Sequence, residues 1–329
     1  MKLALTAAAL TALPIFAACS ASSPTPLAQT GSAQSAASTR ADVRFGLSQG
    51  QIARAMATRG RGDARSAKTQ PTLFVSDLDA QAILLYPANE KKPVQSGSIT
   101  DGIDLPINDA VDSSGTVYVA NNGNSTVTEY PLGASSPSVT LSDQIVNPNG
   151  VAVDKAGNVY VTSGAYVGQC NVLVFPKGAT SPSATIGPFQ LPVGLAIDAK
   201  GDLFVGDVVA NAVFEVPKGK TAPKNLDLSG INDPTGVAID PKNNLWVVNY
   251  QGNTALEFKI GSKSPMQTIS SGLSGPYSVA FGKGGRLFVG NSHTYPGFVT
   301  TYKKNATSPF STFTAKNPAG VAVYPPPKV

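Results

Sequence analysis

Six short polar side chains recur at one position of the sequence. Asp77, Asn121, Ser163, Asp207, Asn249 and Asn291 each stand two residues after a Leu/Val–aromatic–Val phrase. Carboxylates and carboxamides gathered in one place can hold a divalent cation through oxygen or orient a small polar ligand. Tyr250 follows Asn249 directly, and His293 stands two residues beyond Asn291. A second set, Asn108, Asn149, Thr235 and Tyr277, lies near the start of another recurrent phrase. Asp109 is the odd residue there, because its counterparts are the aliphatic Val151, Leu195, Val237, Val279 and Val321. A charge buried among such positions is costly unless it is paired or faces a wet channel. The candidate ligand-binding residues are therefore Asp77, Asp109, Asn121, Asn149, Asp207, Asn249, Tyr250, Asn291 and His293. The competing reading of the six-residue set is backbone capping around channel water.

No catalytic residue is assigned. The single histidine, His293 in Asn291-Ser-His-Thr-Tyr-Pro296, cannot supply a multi-imidazole metal site. Neither a Gly-x-Ser-x-Gly elbow nor a phosphate loop is present. No cofactor is expected, and a divalent metal enters only if the polar set is a hydrolytic centre.

The elements that must position these residues are repeats. Pro106-Ile-Asn-Asp-Ala-Val-Asp112 returns as Pro148-Asn-Gly-Val-Ala-Val-Asp154, and again from Pro192, Pro234, Pro276 and Pro318, at intervals of 42, 44, 42, 42 and 42 residues. Each period holds four short β-like segments, here a to d. In the period from Pro148 these are Val151–Val153, Val159–Val161, Val172–Phe175 and Ala184–Ile186. The b-segments are rich in β-branched and aromatic residues, as strands prefer. The first period begins at strand b, near Thr72, and the last contains only strand a, Val321–Val323. The C-terminal strand should complete the first blade and remove the free edge. The expected fold is all-β: a six-bladed β-propeller of four-stranded antiparallel blades over residues 71–329.

Strand alternation puts the d-to-a and b-to-c loops on one face, called upper here, and the a-to-b and c-to-d turns on the other, called lower. The polar set should ring the upper mouth of the channel. Phe74, Tyr118, Tyr160, Phe204, Trp246 and Phe288 should wedge between blades. Asp112, Asp154, Asp198 and Asp240 open a-to-b turns, where Asp bonds the turn backbone. The twelve-residue calcium loop with its terminal Glu is missing.

The Pro-x-Gly-Val-Ala-Val-Asp phrase and Gly157-Asn-Val-Tyr-Val161 resemble the NHL-repeat family, and more loosely the SMP-30/gluconolactonase-like propellers. The resemblance spans residues 72–325. Its looser branch implies a divalent metal at the channel mouth, held by Glu, Asn and Asp, that assists lactone hydrolysis. Asn and Asp are available here, but the Glu near the first inner strand has no counterpart. Propeller lyases of the amidating and streptogramin-opening types use several histidines, which this chain lacks.

Upstream, Met1-Lys2 and the apolar run from Leu3 to Ala12 read as a secretory signal over residues 1–18. Phe16-Ala-Ala-Cys19 resembles the bacterial lipobox, with Phe16 where that family has Leu. The resemblance implies acylation of Cys19 and an exported, lipid-anchored protein at the outer membrane or periplasmic side of the cell envelope. Residues 19–70, rich in Ala, Ser and Arg, read as a flexible tether. Residues 40–68 hold seven Arg or Lys against two Asp, which accounts for the formal net charge of +5. The body that follows is close to neutral. On that ground it should lack the basic face that nucleic acid requires.

The first functional expectation is a non-catalytic recognition module for a protein, peptide or glycan, held to the membrane by its lipid anchor. The alternatives are a metal-dependent lactonase-like hydrolase and a structural envelope assembly protein.

Overall fold

The computed structural model describes residues 70–164 and 167–327. The signal peptide, Cys19 and all of the tether except Gln70 lie outside the described residues. Within them every regular element is a strand.

Six four-stranded antiparallel sheets form the blades. Blade 1 combines β1 (Thr72–Asp77), β2 (Ala82–Pro87) and β3 (Gly97–Ile99) with the last strand, β24 (Pro318–Tyr324). Blade 2 holds β4 (Pro106–Val111), β5 (Val117–Asn121), β6 (Thr126–Tyr130) and β7 (Val139–Leu141). Blade 3 holds β8 (Val151–Val153), β9 (Val159–Ser163), β10 (Cys170–Phe175) and β11 (Ala184–Phe189). Blade 4 runs from β12 (Pro192–Ile197) through β13 (Leu203–Asp207) and β14 (Ala212–Val216) to β15 (Lys224–Asn225). Blades 5 and 6 repeat the pattern, with inner strands β16 (Pro234–Ile239) and β20 (Pro276–Phe281). The C-terminal strand completes the first blade as expected, with Leu73 paired to Val323, Phe74 to Ala322 and Val75 to Val321.

The aromatic of each b-strand packs into the following blade. Phe74 joins Val117, Val119 and Tyr130 of blade 2, Tyr118 joins Val159, Val161 and Phe175 of blade 3, and Phe288 returns to Leu73, Val75 and Tyr86 of blade 1. The hydrophobic core is thus a circle of inter-blade clusters rather than one central mass.

The a-strands meet at the axis through the third residue of the Pro-x-Gly phrase. A Cβ on Gly150 would stand 2.2 Å from the carbonyl oxygen of Val193, one on Gly194 2.7 Å from that of Thr235, and one on Gly236 2.9 Å from that of Tyr277. Only glycine allows neighbouring backbones so close. Gly97 lies on the outer strand of blade 1, and a Cβ there meets nothing nearer than 3.9 Å. Gly150→Ala should therefore lower unfolding stability by about 3 kcal/mol or more, whereas Gly97→Ala should change it by less than about 0.5 kcal/mol; chemical denaturation of the two variants checks the contrast.

Candidate functional site

The recurrent polar residues occupy the last position of each b-strand, and all six are buried. Each accepts hydrogen bonds from the backbone of the loop entering its own blade. Asp207 is the clearest case: its carboxylate accepts the N–H groups of Gln190 at 2.7 Å and of Leu191 and Ala210 at 3.0 Å. Asp77 does the same for Lys316 at 2.8 Å, Ala80 at 3.0 Å and Asn317 at 3.3 Å. The Oδ1 atoms of Asn121, Asn249 and Asn291 accept from the N–H groups of Asp104, Asn232 and Ser274. Their Nδ2 atoms donate to Thr128, Thr254 and Thr300. Ser163 Oγ accepts from Val146 N–H and donates to the Gln144 carbonyl. The residues do converge by symmetry, but their oxygens brace the d-to-a loops. A β-loop that turns inward leaves amides without a ladder partner, and buried amides must be satisfied.

The channel mouth itself is apolar. In blades 1, 2, 4, 5 and 6 the pairing of strands a and b shifts register beside the Pro-x-Gly phrase, as at a β-bulge. The bulge residues Ile107 and Ala319 cluster with Leu78, and Tyr277 packs against them. Below this plug, a cavity of about 190 Å³ is walled by the six a-strands, with Pro326 and Pro327 among its lining residues.

Asp109 lies in the wall between blades 1 and 2. It is buried, its Oδ1 accepts a hydrogen bond from Ser76 Oγ at 3.1 Å, and its Oδ2 has no partner. Burial pushes its carboxyl up to about 8, against the weaker opposing effect of the Ser76 hydrogen bond. Around neutral pH the proton is therefore largely retained, which removes the expense of an unpaired buried charge.

The accessible chemistry is spread over the upper face. Asn149 is half-buried and its Oδ1 accepts from Asn122 Nδ2 at 3.2 Å. The structure brings Tyr250 and His293 together, the Tyr hydroxyl lying 3.4 Å from Nδ1 and the rings edge-on at 5.9 Å. Tyr277 adds a second edge-on contact to Tyr250 at 6.3 Å. Burial, reinforced by the nearby Asp233 charge, raises both tyrosine hydroxyls above their ordinary value and keeps them protonated as donors.

Beside this cluster, a cleft of about 480 Å³ is floored by Leu78 and Ile107 and walled by Leu105, Tyr295 and Lys316. Tyr295 is 74% exposed and Leu105 40%. Val146, Val167 and Val209 are also exposed on loops of this face. Sequence reasoning missed Tyr295, Leu105 and Lys316. The signal for Tyr295 was the b-to-c loop of blade 6, 292–297, longer than the 250–253 loop of blade 5. Leu105, which adopts a positive φ of 47°, carries no such mark.

A divalent metal of the lactonase kind does not fit the polar set. The oxygens of Asp77, Asn121, Asp207 and Asn249 already accept amide protons, and coordination would strand those amides. Among the described residues no three His, Cys, Asp or Glu side chains group in a way that could hold a metal ion.

Fold and site together define a six-bladed β-propeller with a plugged axis and its exposed chemistry on the loop face. Residues 64–293 match the SMP-30/gluconolactonase/LRE-like region, and the chain belongs to that family. No curated protein matches the sequence. Among solved structures, a chain from a nidogen/laminin complex superposes with a TM-score of 0.65 at 17% identity, covering 77% of this chain and 98% of that one. A protein of unknown function from Bacteroides caccae gives a TM-score of 0.60 at 10% identity, covering 78% and 99%. These two likenesses are of fold.

Two buried carboxylates should respond to mutation with opposite signs. Asp207→Ala strands three amides and should cost about 2–4 kcal/mol. Asp109→Val restores the residue type of the other blades and should stabilise the protein at pH 8 by about 1–3 kcal/mol. The folded value of Asp109 is raised above its unfolded value near 4. Its favourable contribution is thus complete below about pH 4 and is lost as pH rises through about 8. Denaturant titrations between pH 4 and 9 should show that Asp109→Val removes this decline.

Proposed function

We propose that this chain is an exported, lipid-anchored recognition module that binds a protein or peptide segment on its upper face. One observation carries the reading: the side chains that look chemical are engaged in backbone bonds, while exposed Leu105, Val146, Val209 and Tyr295 share the loop face. Scattered apolar residues are normal on a surface. Leu105 and Tyr295, however, line one cleft over Leu78 and Ile107 together with the Lys316 amine, which is the arrangement of a docking site. The Tyr250–Tyr277–His293 cluster offers flat rings and protonated hydroxyls, which also suit a peptide or sugar edge.

The finer assignments belong to the same proposal. The repeat phrases support an NHL-like propeller within the broader family. The signal and the Cys19 lipobox support an anchor at the cell envelope, with acyl chains holding the protein to the membrane.

The hydrolase alternative draws on family membership, since such propellers include metal-dependent lactonases. The two readings separate in one experiment. The protein is screened by thermal shift against envelope peptides, glycan fragments, lactones and divalent metals, with Tyr295→Ser/Leu105→Ser and Asn149→Ala in parallel. Recognition is supported if a peptide or glycan raises the midpoint and the Tyr295/Leu105 variant loses the shift. Metal-dependent lactone turnover that survives in that variant and vanishes in Asn149→Ala would overturn it.

A further inference from the structure

The near-neutral body conceals a separation of charge. Every Lys and Arg of residues 70–327 except Lys316 lies in an a-to-b turn, a c-to-d connection or a strand end flanking one. These segments share the lower face. Inner and outer turns touch there: a Cβ at Gly157 would meet the Lys177 side chain at 2.9 Å, one at Gly201 would meet Lys218 at 3.0 Å, and one at Gly285 would meet Lys304 at 3.3 Å. Lys242 reaches across from blade 5 to Asn305 of blade 6 at 3.3 Å. Five of the six blades contribute bases, and blade 2 contributes none. Glu90, Asp112, Asp154, Asp198, Asp202 and Asp240 lie on the same face and are outnumbered there by the bases; the carboxylates of Asp112, Asp154, Asp198 and Asp240 accept turn N–H groups. Lys200, Lys220 and Lys283 are exposed and form no ion pair among the described residues.

The upper-face loops carry Asp79, Asp101, Asp104, Asp143 and Asp233 against Lys316 alone. The two faces therefore bear opposite charge.

The chain enters the propeller on the basic side. Pro71 accepts the N–H of Ala88 at 2.8 Å, which fixes the entry beside the c-to-d connection of blade 1. The segment immediately upstream, residues 40–68, holds seven bases against two acids.

We infer that the lower face docks on an anionic phospholipid surface, with the acidic, apolar-studded upper face turned away from it. The membrane as the source of the anionic groups rests on the anchor reading above; the polarity of the faces does not. A broad ring of lysine amines facing a sheet of lipid phosphates gains from each charge brought near the surface and weakens with salt. It also solves a geometric problem. An anchor at Cys19 would by itself set no orientation for the propeller, whereas a basic underside holds the recognition loops outward.

The test uses the full chain with Cys19→Ser, so that acylation plays no part, and co-sedimentation with vesicles. Binding to mixed phosphatidylglycerol/phosphatidylcholine vesicles should exceed that to pure phosphatidylcholine by about tenfold or more. It should fall away as salt rises from about 50 to about 500 mM. Lys200→Glu/Lys220→Glu/Lys242→Glu/Lys283→Glu, checked for an unchanged melting midpoint, should lose about tenfold or more of that binding. Lys316→Glu, on the upper face, should keep it. The inference is overturned by equal binding to neutral vesicles, by full binding of the four-lysine variant, or by tight binding to duplex DNA with none to vesicles. Any of these leaves recognition by the upper face intact, because that reading is measured on other residues.

Discussion

Six inner strands must come close enough around one axis for each blade's aromatic wedge to reach the next blade. The approach is set by single backbone contacts. Where Gly150, Gly194 and Gly236 stand, the neighbouring strand's backbone occupies the space a side chain would need. Everything outward depends on that distance. If the strands stood a methyl group further apart, Phe74, Tyr118 and Phe204 would no longer fill the gaps between blades, and each gap would carry a cavity penalty. Closure by β24 completes the constraint, since it ties the last strand of the chain into the first blade.

The same tightness decides where chemistry can occur. A channel narrowed to about 190 Å³, plugged above by Leu78, Ile107 and Ala319, leaves little room for a substrate to reach its wall. The d-to-a loops must cross over the blade tops to reach the axis, and crossing leaves their amides unpaired. Asp207 and its counterparts answer that need. A carboxylate that accepts three amide protons at the end of a strand is a local solution to a folding problem, repeated because the problem repeats. Asp109 is the exception. It sits where the other blades place an aliphatic residue, and among the described side chains Ser76 is its hydrogen-bond donor. That pair belongs to the seam where the C-terminal strand enters the ring, since Gly320 of β24 leaves room for the Asp109 carboxylate.

The fold was legible because its signals are periodic. The Pro-x-Gly-Val-Ala-Val-Asp phrases report the axis, the Leu-Phe-Val phrases report the wedge, and the truncated first and last periods report closure of the first blade by the C-terminal strand. The site was less legible. Type and spacing placed Asp77, Asn121 and Asp207 on one face, but could not tell whether their oxygens point to a ligand or to their own loops. That depends on where a few d-to-a amides come to rest. Tyr250 and His293 were singled out separately, and only the packing of blades 5 and 6 makes them neighbours. The charge of the body misled for a related reason. A sum near zero says nothing about position, and turns that follow strands a and c fall on one face whatever their sign.

Family and site thus carry different information about this chain. The family fixes a ring of blades and an axis. A metal centre at that axis would further require oxygens left over after the backbone is satisfied. In this chain the strand-end Asp and Asn residues meet the backbone first, and the side chains left accessible on the upper face include Tyr295, Leu105, Lys316, His293 and the Asp79 carboxylate. They have much to offer a partner surface, where apolar area is removed from water and one charge sets the orientation. The division of labour follows from the geometry of a closed ring: the inside must hold itself together, so accessible chemistry is confined to the loops outside it.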